Sequence, residues 1–355
     1  MTRVKTGWSR TAARLWHQQR PWIIGCNFTP AYAVNQIEMW QHDSFDAAAI
    51  DRELALAAGI GMNTVRVYLH DLLWADDAVG FGDRIEVFLG LADSHGIAVM
   101  PVLFDSCWNP APALGPQAQP TPGVHNSGWV QSPGAEALAD VGQHARLQAY
   151  VKGVVGRFAA DKRIIAWDIW NEPDNGPDVA RCDQDELAAK AALVVPLLKA
   201  AFRWARAMEA TQPLTSAVWL GDWSHANLLS AIQSVQLTSS DVISFHNYGD
   251  SDDFVRRIGW LRAFDRPLVC SEFMARPIGS TFEAILPIAR AHGVGALCWG
   301  LVRGKTQTHL PWDSWTTPRI DSDGSPWFHD VFDADGTPHD AGEVALIRSL
   351  TLVGA

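Results

Sequence analysis

Residues 83–104 read DRIEVFLGLADSHGIAVMPVLF, a helix, its stop and a strand in one short stretch. Ile85, Phe88, Leu89 and Ala92 recur at helical spacing, which predicts a helix over 83–95 with a single apolar face. Gly96 follows as the left-handed residue that ends a helix without the steric cost of a side chain. Residues 97–104 are almost wholly apolar, as a strand covered on both faces must be. The same cassette recurs near the other end of the chain, where Ala291-His292-Gly293-Val294-Gly295-Ala296 repeats the pattern of Ser94-His95-Gly96-Ile97-Ala98-Val99.

Working outward, Asp46 caps a helix that carries Ile50, Leu54 and Ala57 or Ala58 at helical spacing and stops at Gly59, ahead of a strand at 64–69. A helix over 147–160 precedes a strand at 164–170, and a long helix over 185–210 precedes one at 214–220. Further strands fall at 242–246, 267–272 and 294–299, and the first lies at 22–27. Eight strands alternating with helices specify an α/β fold, a (β/α)8 TIM barrel, as one domain over residues 1–355. A doubly wound sheet is the alternative, but no G-x-G-x-x-G follows the first strand to support it.

Composition narrows the function classes. The chain is 48% hydrophobic and 19% charged, with 28 Lys and Arg against 39 Asp and Glu, and its net charge of -11 repels phosphate backbones and anionic headgroups, so neither nucleic acid nor a membrane is an expected partner. The cysteines at 26, 107, 182, 270 and 298 form no C-x-x-C pair, which argues against a disulfide framework or a zinc ribbon, and Cys26, Cys270 and Cys298 fall in strands as buried small hydrophobes. No histidine spacing calls for a metal, and Gly300-Leu301-Val302-Arg303-Gly304-Lys305-Thr306 is one residue short of a phosphate-cradling loop, so no cofactor is expected. No apolar stretch resembles a secretory signal or a membrane span, and with Met1 as the native start the chain is expected in the cytoplasm. Seventeen tryptophans stand out, since their flat apolar faces suit sugar rings as well as cores.

Barrels present their reactive groups at the C-terminal ends of the strands. The fourth strand ends Trp167-Asp168-Ile169-Trp170-Asn171-Glu172-Pro173 and the seventh ends Val269-Cys270-Ser271-Glu272, so two carboxylates share one mouth. Such a pair is what glycoside hydrolysis needs, one acid to protonate the leaving oxygen and one carboxylate to attack carbon or activate water. The second strand adds Arg66, the sixth His246 and Tyr248, and the eighth Trp299. Two long connections leave the same face: 105–133, with Asp105, Trp108, His125, Asn126 and Trp129, and 300–328, with Lys305, Gln307, Trp312 and Trp315.

In strand order and over nearly the whole chain, these residues resemble glycoside hydrolase clan A, the retaining β-glycosidases that include the family 5 cellulases and mannanases. Trp-Asn-Glu-Pro at 170–173 is the most specific piece, with His-x-Tyr at 246–248 and Ser-Glu-Phe at 271–273 on the matching strands. The resemblance implies that Glu172 is the general acid/base and Glu272 the nucleophile. It implies too that Asn171 binds the sugar 2-hydroxyl, that Arg66 and Tyr248 hold the nucleophile, that His246 supports the acid/base or the sugar, and that Trp299 lies under the sugar ring. Position alone adds His70, Asp105, His125, Asn126, Trp129, Lys305, Gln307 and Trp312 as substrate contacts, with loop scaffolding as the competing role. The segments 304–308 and 311–315 depart from the cellulase and mannanase pattern, which leaves the sugar open.

The expected activity is retaining hydrolysis of a β-linked oligo- or polysaccharide, by exo action or on short soluble oligosaccharides, because long loops over a barrel mouth narrow a groove to a pocket. The alternatives are an endo-β-glycanase, a transglycosylase with the same residues, and a carbohydrate-binding barrel without catalysis. Carbohydrate is the expected partner.

Overall fold

The structure, a computed structural model, describes residues 7–176, 184–319 and 327–351. Eight parallel strands form one sheet: β1 (Ile24–Asn27), β2 (Thr64–Tyr68), β3 (Ala98–Asp105), β4 (Trp167–Asn171), β5 (Leu214–Thr215), β6 (Ile243–His246), β7 (Leu268–Phe273) and β8 (Gly295–Trp299). Their order is β5-β4-β3-β2-β1-β8-β7-β6, and β8 pairs with β1 through Ile24↔Ala296 to Asn27↔Trp299. The remaining seam is bridged beyond β5, where His246 N donates to the Val218 carbonyl at 2.9 Å and Val218 N to that of Ser244 at 3.3 Å. The sheet thus curls into a (β/α)8 barrel.

A helix follows each strand: Ala47–Gly59, Asp71–Ser94, His144–Arg157, Gln184–Arg206, Ala231–Ser239, Ser251–Leu261, Phe282–His292 and Ala341–Thr351. Apolar periodicity sets what they bury, as Ile85, Phe88, Leu89 and Ala92 do against the sheet. Asp46 accepts from Ala49 N as the expected cap, and Gly96 and Gly293 take the expected left-handed conformation at φ 69° and 64°. The helix expected at 83–95 begins a full three turns earlier, at Asp71, and bends at Asp77, whose φ of -145° is not helical. Gly80 and Gly82 obscured its first half in the sequence, since glycine weakens a helical pattern without forbidding the helix. Strand β5 has two paired residues where seven were expected, because the chain beyond Thr215 keeps only the single bridge at Val218.

A helix before the barrel, Arg10–Gln18, places Trp16 among Ile23, Met100, Ile165, Val242, Val269 and Leu297 at the N-terminal ends of the strands. That end is therefore plugged by apolar side chains, and the polar interior lies toward the opposite end. Cys26, Cys270 and Cys298 are fully buried, as their strands require, while Cys182 lies outside the described residues, as do 320–326 of the expected second loop. No described helix is long and apolar enough to cross a membrane.

Candidate active site

Arg66 projects from β2 into the barrel with no exposed surface, and one buried guanidinium organises everything around it. Its Nε and Nη2 donate to Asp168 Oδ2 on β4 at 3.0 and 2.8 Å, Nη2 also to Asn171 Oδ1 at 2.7 Å, and Nη1 to Asn27 Oδ1 on β1 at 2.8 Å and to Glu272 Oε1 on β7 at 2.7 Å. A buried ion of this kind persists only when its donors are satisfied, and here acceptors on three strands do so.

Glu272 sits where the registers of β6 with β7 and of β7 with β8 both shift, and such irregularities re-aim a side chain at a strand end. Its Oε1 also accepts from Tyr68 OH at 2.8 Å, its Oε2 accepts from Tyr248 OH at 2.8 Å, and His246 Nδ1 stands 3.4 Å from Oε2. Burial pushes this carboxyl up, but the His246 ring and Arg66 guanidinium, with the two phenols, hold it below the usual carboxylate range.

Glu172, at the end of β4, has a φ of 43°, an unusual backbone conformation of the kind that clusters at functional sites. Its Oε1 lies 2.8 Å from His246 Nδ1, and its Oε2 accepts from Asn175 Nδ2 at 2.7 Å, with Cys107 Sγ at 3.4 Å. Both glutamates are nearly buried, and together with His246 they bring one oxygen or nitrogen each to within 4.8 Å of one another. Among the described residues this is the cluster whose side chains could hold a metal ion. The hydrogen bonds above already engage all four carboxylate oxygens.

The aromatic residues surround this polar centre. Trp299 at the end of β8 is partly exposed and meets the rings of Tyr68 at 5.8 Å and Trp129 at 6.2 Å edge-on. Trp129 Nε1 donates to Asp105 Oδ2, whose other oxygen accepts from Asn171 Nδ2 at 2.9 Å. Asp105 is pushed up to about 6 by burial, and it anchors Asn171 and Trp129 through its two oxygens. Trp312 crosses Tyr248 edge-on at 5.0 Å and is 37% exposed.

Several residues expected at the sugar are engaged elsewhere. His70 caps the helix Asp71–Ser94: its Nδ1 accepts from Leu72 N at 3.1 Å, so Nε2 carries the proton donated to the Gln131 carbonyl at 3.0 Å. His125 gives Nδ1–H to the Leu310 carbonyl at 2.8 Å and its backbone N–H to Ser314 Oγ at 2.9 Å. Asn126 N donates to the Thr306 carbonyl at 2.7 Å. Gln307 accepts from Gly123 N at 2.9 Å and donates to the carbonyls of Thr121 at 2.8 Å and Val124 at 3.0 Å. Lys305 Nζ pairs with Glu38 Oε1 at 2.7 Å. The side chains of His70, His125, Gln307 and Lys305 are thus engaged within the protein, the role of loop scaffolding that competes with sugar contact, whereas Asn126 is held through its backbone.

Tyr68 and Asn27 are additions to the expected set. Tyr68 was readable, since residues two apart on a strand share a face and Arg66 already pointed inward. Cys107 had no signal in the sequence, because its place depends on how the 105–133 loop turns.

No protein-family profile matches the chain, and no curated protein does. Solved structures do match in fold. The exo-β-1,4-mannosidase Op5Man5 from Opitutaceae bacterium strain TAV5 superposes with a TM-score of 0.57 at 19% identity, over 94% of this chain, which spans 60% of that protein's length. A GH5_18 protein variant from Streptomyces cattleya in complex with Manβ1-4GlcNAc gives 0.59 at 13% identity, over 92% of this chain and 79% of the other. The endo-β-1,4-mannanase from Thermotoga petrophila gives 0.61 at 12% identity, over 95% and 78%. At these identities the likeness is one of fold.

Proposed function

We propose that this protein is a retaining β-glycosidase that removes a terminal sugar by double displacement. The observation that carries the reading is the pair Glu172 and Glu272, whose nearest oxygens lie within 4.8 Å. Retaining enzymes keep their carboxyl groups about 5–5.5 Å apart, whereas inverting ones leave about 6.5–9.5 Å for a water. The environments divide the roles. Glu272, held ionised by Arg66, Tyr68 and Tyr248, attacks the anomeric carbon, while Glu172 donates its proton to the departing oxygen. Glu172 then takes a proton from the water that cleaves the glycosyl ester on Glu272. Asn171, fixed between Arg66 and Asp105, faces the sugar beside the acid/base, and Trp299 offers the ring to stack against.

Exo action is supported by the loops. Those leaving β3 and β8 are joined over the sector of β1 and β2, on the side of Trp129, Tyr68 and Trp299 where the glycone would lie. The similar folds described as a β-1,4-mannosidase, a β-1,4-mannanase and a complex with Manβ1-4GlcNAc make β-mannosides the first substrates to try.

The test is a panel of aryl β-glycosides followed by azide rescue of the two carboxylate variants. Glu172→Ala with an activated substrate and azide should yield a glycosyl azide of retained configuration, and Glu272→Ala one of inverted configuration. The opposite pairing reverses the roles. No turnover of any β-glycoside by the intact protein leaves a carbohydrate-binding barrel, and transfer to sugar acceptors in place of water makes the enzyme a transglycosylase.

A further inference from the structure

The hydrogen bonds around Cys107 close on themselves. Its Sγ is 3.4 Å from Glu172 Oε2, 3.4 Å from Asn171 Nδ2 and 3.2 Å from Asn175 Nδ2, and its backbone N–H donates to Asp105 Oδ1 at 3.1 Å. Each amide nitrogen has two protons to place. Asn171 gives one to Asp105 Oδ1 at 2.9 Å and Asn175 gives one to Glu172 Oε2 at 2.7 Å, which leaves the second proton of each for the sulfur. With both amides donating to sulfur, the thiol proton is left to point at Glu172 Oε2.

From this geometry we infer that Cys107 is a positioning residue, whose thiol orients the amides of Asn171 and Asn175 and lends a weak, releasable donor to the acid/base Glu172. The inference rests on the glycosidase reading. Glu172 already accepts from Asn175 at 2.7 Å and lies 2.8 Å from His246 Nδ1, and a further strong donor on the same carboxyl would oppose the protonation it needs in one half-reaction. A thiol donates weakly and can turn away, and its large sulfur spans three partners that a hydroxyl could not reach together. Burial, followed by the charges of Asp105, Glu172 and Glu272, pushes this thiol well up, so it keeps its proton. The other titratable groups facing the pair are His246, Asp174, Tyr68 and Tyr248.

The test is the pH dependence of kcat/KM in Cys107→Ser and Cys107→Ala. Serine, a stronger donor to the carboxylate, should move the basic limb to lower pH; alanine, with no donor, should move it to higher pH and slow substrates with poor leaving groups about 10-fold. Thermal melting checks that each variant folds. In the intact protein, the infrared S–H stretch should shift as pH crosses the basic limb, a readout that needs neither variant. Shifts in one direction for both variants, or no movement of limb or S–H band, overturn the inference while leaving the glycosidase reading standing. An intact protein that cleaves no glycoside defeats the glycosidase reading instead.

Discussion

At Glu272, charge rather than burial decides the state of the carboxyl, and each donor to it should be separately measurable. Tyr68→Phe deletes the hydroxyl that donates to Oε1 at 2.8 Å and leaves the ring packed against Trp129 and Trp299. A hydrogen bond to a charged group contributes about 1.5–3 kcal/mol, so kcat/KM should fall roughly 10- to 100-fold. Losing a donor raises the carboxyl, so the acidic limb of the rate profile should move to higher pH. A lower melting temperature with an unmoved limb would reduce Tyr68 to packing. Much of this centre was legible in the sequence, because Arg66, Asn171, Glu172, His246, Tyr248, Glu272 and Trp299 all stand at or beside strand ends, where periodicity fixes direction. For Gln307 the sequence left sugar contact and loop scaffolding both open, for the opposite reason. Its partners, Thr121, Gly123 and Val124, lie 183 to 186 residues away, and no local pattern records which backbone atoms a loop brings near.

The elements themselves were read well where a helix stop and an apolar run agree, as at Gly96 and Gly293, and less well where glycines interrupt a helix, as at 71–82. Between elements, the connection after β3 and that after β8 behave as one unit. Gln307 holds Thr121, Gly123 and Val124, Asn126 holds Thr306, His125 holds Leu310 and Ser314, and Trp108 stacks on Trp315 at 4.7 Å and 13°. His125 makes this unit sensitive to acid. Burial lowers its pKa to about 4, below the usual histidine range, so between about 6.5 and 4 the unfolded chain takes up a proton that the folded chain refuses. Stability present above about pH 6.5 is therefore lost as pH falls toward 4, by up to about 3 kcal/mol for this one group. Hydrogen exchange at 121–126 and 304–310 should accelerate over that interval. His125→Gln, whose amide can still donate to Leu310, should flatten its share of the slope, with His309 and His329, both also lowered by burial, accounting for the remainder. Equal slopes in the two proteins would locate the acid sensitivity elsewhere.

Taken whole, the molecule joins two long loops over one sector of its barrel mouth, and exposed aromatics of the same loops stand at the rim. The welded loops cross from β3 to β8 over β1 and β2, and the connection after β1 joins them through Asn35 to the Gly128 carbonyl at 2.9 Å and Lys305 N to the Ala31 carbonyl at 2.9 Å. Trp312 and Trp315, 37% and 43% exposed, remain at the rim. On the proposed exo reading, a glycone subsite bounded in this way holds one sugar, so binding energy from additional units comes from the leaving-group side. The expected outcome with an end-labelled β-1,4-linked tetrasaccharide is stepwise loss of single sugars from the non-reducing end, with the viscosity of a long soluble glycan falling no faster than its end groups are released. Gln307→Ala keeps the same left-handed backbone cost at φ 53° while deleting three bonds across the wall, so it isolates what the wall does. It should leave the rate on an aryl β-glycoside within a few-fold, since no catalytic group is touched, and should admit internal cleavage that the intact protein refuses. If the intact protein already produces internal fragments at early times, the loops do not close the glycone side, and the same two glutamates serve an open cleft.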